Sequence, residues 1–168
     1  MRQLSAGQLE PLIPEFVALL QDVVDGGASV GFLPPLSEAE AAGYWRDVLE
    51  AIRGPGKLLW GAFEGGRLVG TIQLNLETRA NGIHRAEIAK VMVHTTQRRR
   101  GIARLMMEVA EAEALRLGRT TLVLDTLEGH AAVLLYESLG WRTAGVIPKY
   151  AIYQDGEQHG TVVMYKLL

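Results

Sequence analysis

Cysteine is absent from this sequence of 168 residues, and so is any long apolar run. Without cysteine the chain forms no disulfide, no thiolate metal site and no thiol nucleophile. No uninterrupted apolar stretch approaches the roughly 20 residues that a membrane-spanning helix requires. The amino-terminal residues also lack the basic segment and apolar core of a secretion signal. We therefore expect a cytoplasmic protein that does not interact with membranes.

A strong excess of charge of either sign is also missing. The chain has 17 basic and 19 acidic residues, which gives a formal net charge of -2. No overall positive field attracts nucleic acid, so any anion site must be local. Because 48% of the residues are hydrophobic, a chain of this length can bury one substantial core. We predict a single domain over residues 1–168.

Apolar spacing and turn residues predict alternating helices and strands. The predicted helices cover Leu9–Val24, about Ser37–Ile52, Ile102 to just before Gly118, and His130–Leu139. The predicted strands cover Lys57–Phe63, Arg67–Leu76, Ala86–His94, Thr120–Thr126, Arg142–Tyr153 and Thr161–Leu167. Pro34 and Pro35 mark the stretch from Ala28 to Leu36 as a loop.

This order of elements predicts the fold class. The strand before Arg98, the helix from Ile102 and the next strand form a right-handed βαβ unit, with Asp125 at the ligand-binding edge of its second strand. We expect an α+β fold, called α/β by some conventions, with a mixed, mostly antiparallel sheet and helices on both faces. Its segments are 1–56, mainly helical; 57–126, most of the sheet; and 127–168, a helix and a hairpin. An exposed edge strand near the carboxyl terminus could pair two chains as a homodimer.

Four arginines surround a glycine where the βαβ helix begins: Arg98, Arg99, Arg100 and Arg104 around Gly101. Free amides at a helix amino terminus bind phosphate oxygens, and positive side chains there are unfavourable without an anion. No lysine followed by serine or threonine comes after Gly101, which excludes a nucleotide P-loop. A single glycine also excludes the dinucleotide fingerprint. The alternative is a solvated basic turn.

The six residues from Arg98 to Ala103 match Gln/Arg-x-x-Gly-x-Gly/Ala, the loop of the GNAT superfamily of N-acetyltransferases. The seven residues from Leu135 to Trp141 resemble that family's Leu-Tyr-Glu-x-x-Gly-Phe. The resemblance covers about residues 57–168. There is one departure, because Gly129 stands seven residues before Tyr136, where the family commonly has asparagine.

The resemblance implies acetyl-coenzyme A (acetyl-CoA) as co-substrate. It places the pantetheine arm along Val91, Met92 and Val93, with a main-chain amide near Met92 or Val93 stabilising the carbonyl oxygen. The implied pyrophosphate site consists of Arg98, Arg99, Arg100, Gly101, Ile102, Ala103 and Arg104. We expect no metal, since the four histidines lack paired ligand spacing.

The resemblance also implies catalytic residues. An alkylamine with a pKa of about 10.4 is almost wholly protonated at neutral pH, so a base is useful. Glu87, fourteen residues before Gly101, lies at the offset of the family's general base, and Asp125 is a second candidate. Tyr136 resembles the family's general acid toward the departing thiolate.

Each catalytic candidate has a structural alternative. Glu87 could be a surface residue paired with Arg85 or Lys90. Asp125 could cap the next helix or belong to a turn. Tyr136 could be a packed core side chain.

Three segments, 81–87, 125–128 and 147–151, are similar to acetyltransferases of the tabtoxin-resistance and phosphinothricin type. The resemblance implies direct acetyl transfer to a primary amine of a small, amino-acid-like molecule. We expect Val30–Leu36 and the hairpin around Asp155 to form the acceptor site.

Other functions stay open. They are a non-catalytic acyl-CoA sensor and an acetyltransferase acting on a protein amino terminus or lysine. A nucleic-acid-binding module is disfavoured, because no aromatic residues are interleaved with the arginines.

Overall fold

A computed structural model describes residues 1–28 and 30–168. Ser29, within the loop predicted from Ala28 to Leu36, lies outside the described residues. The helices are α1 (Ala6–Leu9), α2 (Ile13–Asp25), α3 (Glu38–Ala51), α4 (Ile102–Arg116) and α5 (Ala131–Ser138). The strands are β1 (Arg2–Gln3), β2 (Lys57–Glu64), β3 (Arg67–Leu76), β4 (Arg85–Val93), β5 (Thr121–Leu127), β6 (Arg142–Ile152) and β7 (Gln158–Leu167). No helix in the described ranges is both long and apolar enough to cross a bilayer.

Within the described residues, seven strands form one sheet in the order β1-β2-β3-β4-β5-β7-β6. The pair β4–β5 is parallel and is connected by α4, whereas the other neighbouring pairs are antiparallel. This mixed, mostly antiparallel arrangement confirms the predicted fold class.

Side chains that alternate along the strands supply two cores, one on each face of the sheet. On one face, Ile72 and Leu122 pack with Met106 of α4 and with α5. On the other face, Phe16 of α2 and Trp45 of α3 pack together, with ring centroids 4.6 Å apart. We call these the α4 face and the α2 face; helices therefore cover both sides, as predicted.

The helix predicted over Leu9–Val24 is confirmed over its main part, α2 (Ile13–Asp25), but its start and its continuity differ. The segment begins earlier, in α1, and a 3-10 turn over Glu10–Leu12 separates α1 from α2. Pro11 and Pro14 occupy the second positions of the turn and of α2, where a missing amide hydrogen is tolerated. The backbone stays in the right-handed helical region at Leu9, Leu12 and Ile13, so the three pieces follow one another directly.

The edge strand β6 is exposed along nearly its whole length. Its pairing with β7 is regular at Ile147 and resumes only at Ala151, so residues 148–150 form a bulge. Lys149 in that bulge has a φ of 53°, in the left-handed region.

Strand β4 contains a second irregularity, at Lys90, whose φ is 52°. Ala86 and Ile88 belong to the α4-face core, whereas Met92 belongs to the α2-face core. A regular strand would direct all three to one face. The bulge at Lys90 therefore exchanges the two faces of β4, next to the point where β4 and β5 separate.

Candidate active site

A cleft opens between the parallel strands β4 and β5. In the described chain, their register consists of three pairs, the last being Glu87 with Val123. Beyond Glu87, β4 continues to pair with β3 only, and a cavity of about 340 Å³ lies between it and β5. Main-chain groups along this part of β4 can therefore pair with an extended ligand that contains amides.

Glu87 lies on the cleft wall and on the α2 face, since its neighbours Ala86 and Ile88 face α4. Its Oε2 accepts a hydrogen bond from Nδ2 of Asn75 at 3.1 Å. The alternative partners are engaged elsewhere. Arg85 pairs with Glu77 at 3.0 Å, and Lys90 donates to the carbonyl of Val30. The surface ion pair considered for Glu87 is therefore not the observed arrangement.

Asp125 lines the same cleft and the same face, inside β5. Its Oδ2 accepts a hydrogen bond from the hydroxyl of Thr161 at 2.9 Å. The cap of α5 is instead His130, whose imidazole accepts from the amide of Ala132. The capping role considered for Asp125 is thus excluded, and the hydrogen bond from Thr161 occupies only one of its two carboxylate oxygens.

Tyr136 reaches the cleft from α5, on the opposite face from the two carboxylates. The side chain is 6% exposed and packs against Trp141. Burial raises the pKa of Tyr136 to about 12, and the charge of Asp125 adds to that rise. The phenol is therefore protonated at neutral pH and can donate a hydrogen bond. Tyr136 is therefore packed in the core, as its structural alternative predicted, and it also lines the cleft.

The loop before α4 forms a main-chain cradle. Arg99 and Gly101 both have left-handed φ values, 64° and 81°, and Gly101 is the N-cap of α4. The first amides of a helix have no partner within the helix, and left-handed turns direct such amides toward an anion. A Cβ added at Gly101 would meet nothing within 4 Å, so the approach is open. These features fit a pyrophosphate.

The arginine side chains diverge from this cradle. Arg100 forms two hydrogen bonds to Glu64, at 2.7 and 2.8 Å, and Arg104 donates to Ser138 at 2.7 Å. Arg98 donates to the carbonyl of Val93 at 3.5 Å. Of the four loop arginines, Arg99 alone has no hydrogen bond or ion pair among the described residues, and it is exposed. The cradle thus depends on main-chain groups more than on the arginine cluster.

Asp22 of α2 is a residue that the sequence analysis missed. Its carboxylate accepts two hydrogen bonds from Thr95, from the amide at 2.7 Å and from the hydroxyl at 2.6 Å. The imidazole of His94 lies 3.6 Å away. A Cβ at Gly26 would lie 2.7 Å from Cγ2 of Thr95, so close contact here requires glycine. Helix α2 therefore anchors the start of the cradle loop.

Gly129 lies in the turn between β5 and α5, with a φ of 75°. A Cβ there would meet nothing within 4 Å. The position where the family commonly has asparagine is therefore open space beside the cleft.

A second cavity, of about 420 Å³, adjoins the cleft. The two cavities share Ala28, Gly31, Ala151 and Tyr153. The second cavity is walled by Phe32, Leu33 and Pro34 from the α2–α3 loop and by the end of β6 with Gln154. The structure thus brings together the two segments predicted to form the acceptor site.

The described residues contain no group of three or more histidine, aspartate or glutamate side chains arranged to hold a metal ion.

An opened parallel strand pair next to a main-chain anion cradle defines a class of proteins that bind an extended, phosphate-bearing cofactor. The sequence model of the Acetyltransferase (GNAT) family matches residues 29–141, about two thirds of the chain. This chain therefore belongs to the GNAT family of acetyltransferases, enzymes that use acetyl-CoA for acyl transfer.

Solved structures share the fold over nearly the whole chain. The ribosomal-protein-alanine N-acetyltransferase from Brucella melitensis superposes with a TM-score of 0.82 at 21% identity, over 99% of this chain and 98% of that one. An aminoglycoside 6'-N-acetyltransferase in complex with coenzyme A gives 0.72 at 18% identity, over 99% and 97%. A protein described as a proposed phosphinothricin N-acetyltransferase gives 0.77 at 17% identity, over 95% and 94%. At these identities the likeness concerns the fold alone.

Proposed function

We propose that this protein transfers the acetyl group of acetyl-CoA to the primary amine of a small, amino-acid-like molecule, by direct attack of the amine in a ternary complex. One observation carries the proposal. Glu87 and Asp125 line the β4–β5 cleft on the α2 face, and Tyr136 lines it on the α4 face. A base on one side of the bound thioester and a hydrogen-bond donor on the other can act on the attacking amine and on the departing sulfur, respectively.

The cofactor-binding residues have separate tasks in this proposal. When bound, acetyl-CoA supplies an activated thioester. Main-chain groups from Gly101 to Ala103, with Arg99, hold the pyrophosphate, while Val91, Met92 and Val93 border the pantetheine arm. An amide of β4 near Met92 or Val93 stabilises charge on the carbonyl oxygen. Arg98, Arg100 and Arg104 mainly shape the loop through their contacts.

The two carboxylates act on the amine. Their negative charges attract an ammonium group, and Glu87 accepts its proton, directly or through water. Asp125 is the second candidate for this role. Its bond from Thr161, which is 5% exposed, fixes one of its oxygens. Both carboxylates are exposed, and Glu87 likewise accepts one side-chain hydrogen bond, from Asn75.

Tyr136 acts on the leaving sulfur as a hydrogen-bond donor. A phenol with a pKa of about 12 is a weaker acid than an ordinary thiol, whose pKa is about 8.5. The proton therefore favours the phenol oxygen over the departing sulfur. We infer that Tyr136 polarises the thiolate and that its replacement by phenylalanine is less damaging than loss of the base.

Release of coenzyme A from acetyl-CoA, measured with a panel of amines, tests the proposal. With an accepted amine, we expect Glu87→Gln to lower kcat/KM by about 10²- to 10⁴-fold, the usual contribution of a general base. Glu108→Gln, on the exposed side of α4, is the matched control and should behave like the wild type.

The same assay separates the alternatives. Coenzyme A binding without turnover, and indifference to Glu87→Gln, would instead favour an acyl-CoA sensor. Turnover with peptides but with no free amine would favour a protein acceptor.

A further inference from the structure

Lys90 has a backbone conformation that a lysine in the middle of a strand rarely adopts. Its φ of 52° interrupts β4 at the bulge, where the strand exchanges its faces. Such conformations persist only where the surroundings enforce them, and they cluster at functional sites. In a regular strand, residue 90 would face α4 together with Ala86 and Ile88. The bulge instead sends the Lys90 side chain to the α2 face, which the two carboxylates share.

The ammonium of Lys90 lies at the junction of the two cavities. It donates one hydrogen bond, to the carbonyl of Val30 at 2.6 Å, and no other acceptor is bonded to it among the described residues. The rings of Phe32 and Tyr44 lie 6.0 and 5.7 Å from Nζ. Gly31 also borders the ammonium, since a Cβ there would lie 3.4 Å from Nζ, an ordinary contact distance. Two N–H groups stay available to a ligand.

The ionisable side chains that line the cleft carry charges of both signs. Among the described residues that line it, Glu87 and Asp125 are anionic, Lys90 is cationic, and His130 is the other titratable imidazole or amine. Burial lowers the pKa of Lys90, while the negative charges of Asp125 and Glu87 oppose that lowering. A half-buried ammonium with unused donors is costly unless an anion approaches it. The cleft thus offers one cationic and two anionic groups on a single face.

We propose that Lys90 binds a carboxylate of the acceptor molecule and thereby determines which amines are acetylated. This inference rests on the proposed function, since Glu87 and Asp125 take the amine end of the same molecule. An α-amino acid carries its ammonium and its carboxylate on the same carbon atom, which matches groups of opposite charge on one wall. The hydrogen bond to the carbonyl of Val30, which belongs to the α2–α3 loop, holds the ammonium of Lys90 in position.

Matched pairs of acceptors test this role. Each pair consists of an L-amino acid and its α-amide, which has the same side chain and amine but no negative charge. We expect the wild type to prefer the acid, and Lys90→Met to lower the acid-to-amide ratio of kcat/KM by about ten- to a hundredfold, the usual value of a charge-assisted hydrogen bond. Lys90→Arg keeps the charge and should keep most of the preference. Lys149→Met is the matched control, because Lys149 also has a left-handed φ but lies on exposed β6 and lines neither cavity.

The ratio separates recognition from a structural effect. Loss of the contact to Val30 alone would lower the rates for acid and amide together and leave their ratio unchanged. An unchanged ratio in a Lys90→Met variant that coenzyme A still stabilises against heat would overturn the proposal. A wild type that prefers the amides would overturn it as well. Absence of turnover with every amine would instead refute the proposed function on which it rests.

Discussion

At the scale of single residues, the left-handed turn at Gly101 makes the most direct prediction. A side chain at this position would enter the open approach to the cradle, and a carboxylate would repel phosphate oxygens. We expect coenzyme A to raise the melting temperature of the wild type and to leave that of Gly101→Glu unchanged. Scanning fluorimetry with and without coenzyme A measures this difference.

Gly118→Glu is the control for backbone strain. Gly118 ends the same helix, its φ of 73° is similar, and a Cβ there would also meet nothing within 4 Å. Both variants pay for a non-glycine residue in the left-handed region, but Gly118 is remote from the cradle. Equal stabilisation of the two variants by coenzyme A would contradict the assignment of the cradle.

Single residues of the candidate site could be predicted from the sequence, but the partners of their side chains could not. The loop motif and Tyr136 are local signals: Tyr136 lines the cleft, and the loop motif forms the start of α4. The partner of Arg100 is Glu64, 36 residues earlier, and that of Arg104 is Ser138, 34 residues later. Such pairs depend on how the sheet brings distant turns together, which local patterns do not contain. The bulge at Lys90 could not be predicted either, because no glycine or proline stands next to it in the sequence.

At the scale of elements, α2 and the cradle loop are joined by the carboxylate of Asp22. Asp22→Asn removes its charge and one of the two acceptors that hold Thr95. We expect the KM for acetyl-CoA to rise by about five- to tenfold, with a smaller effect on the KM of the amine. This is less than the full value of a charge-assisted hydrogen bond, because Asp22 acts on acetyl-CoA only through the cradle loop. Steady-state kinetics with each substrate varied in turn gives both values.

Asp25→Asn removes the same charge from the same helix at an exposed position three residues on. It should leave both KM values close to those of the wild type. A similar rise of the KM for acetyl-CoA in both variants would mean that the loss of a negative charge from α2, and not the loss of the bond to Thr95, causes the rise.

Most elements followed from apolar periodicity and from turn residues. The hairpin of β2 and β3 around Gly65 and Gly66 and the capping of α3 by Ser37 agree with the structure. Strand β1 has only two residues, too few for any periodic pattern, and depends on pairing with β2. The division between α1 and α2 was missed because the apolar spacing continues across Pro11 and Pro14.

At the scale of the whole molecule, one buried carboxylate joins three distant parts of the chain. Glu111 of α4 accepts hydrogen bonds from the indole of Trp141 at 2.7 Å and from Lys166 of β7 at 2.5 Å. Lys166 also donates to the carbonyl of Leu139. We expect Glu111→Gln to lower the free energy of unfolding by about 2–3 kcal/mol, below the usual cost of a broken buried pair because Lys166 is partly exposed.

Urea unfolding measures this loss, with Glu108→Gln, three residues earlier on the exposed side of α4, as control. The destabilisation should be absent in the control. Glu111→Gln should also retain its response to coenzyme A, since Glu111 does not line the cleft. Equal stability of the two variants would show that the Glu111 network contributes little.

The exposed edge strand was predicted, and pairing of two chains through it stays a prediction. Val146 and Ile147 are 45% and 46% exposed and precede the bulge. Pro148 has no amide hydrogen to donate, and bulges discourage pairing along an edge. A second register shift lies between Thr143 and Gly145, so a second chain would have only the short stretch Gly145–Ile147 available as a regular strand before Pro148.

The position of α2 has one further consequence. The helix holds the cradle loop through Asp22, and the chain that leaves its end forms the wall of the second cavity. Two ligands that contact the same rigid body can change each other's affinity, and such coupling is reciprocal by thermodynamic linkage. If an acceptor tightens the binding of acetyl-CoA, acetyl-CoA must tighten the binding of that acceptor by the same factor, with α2 as the shared part.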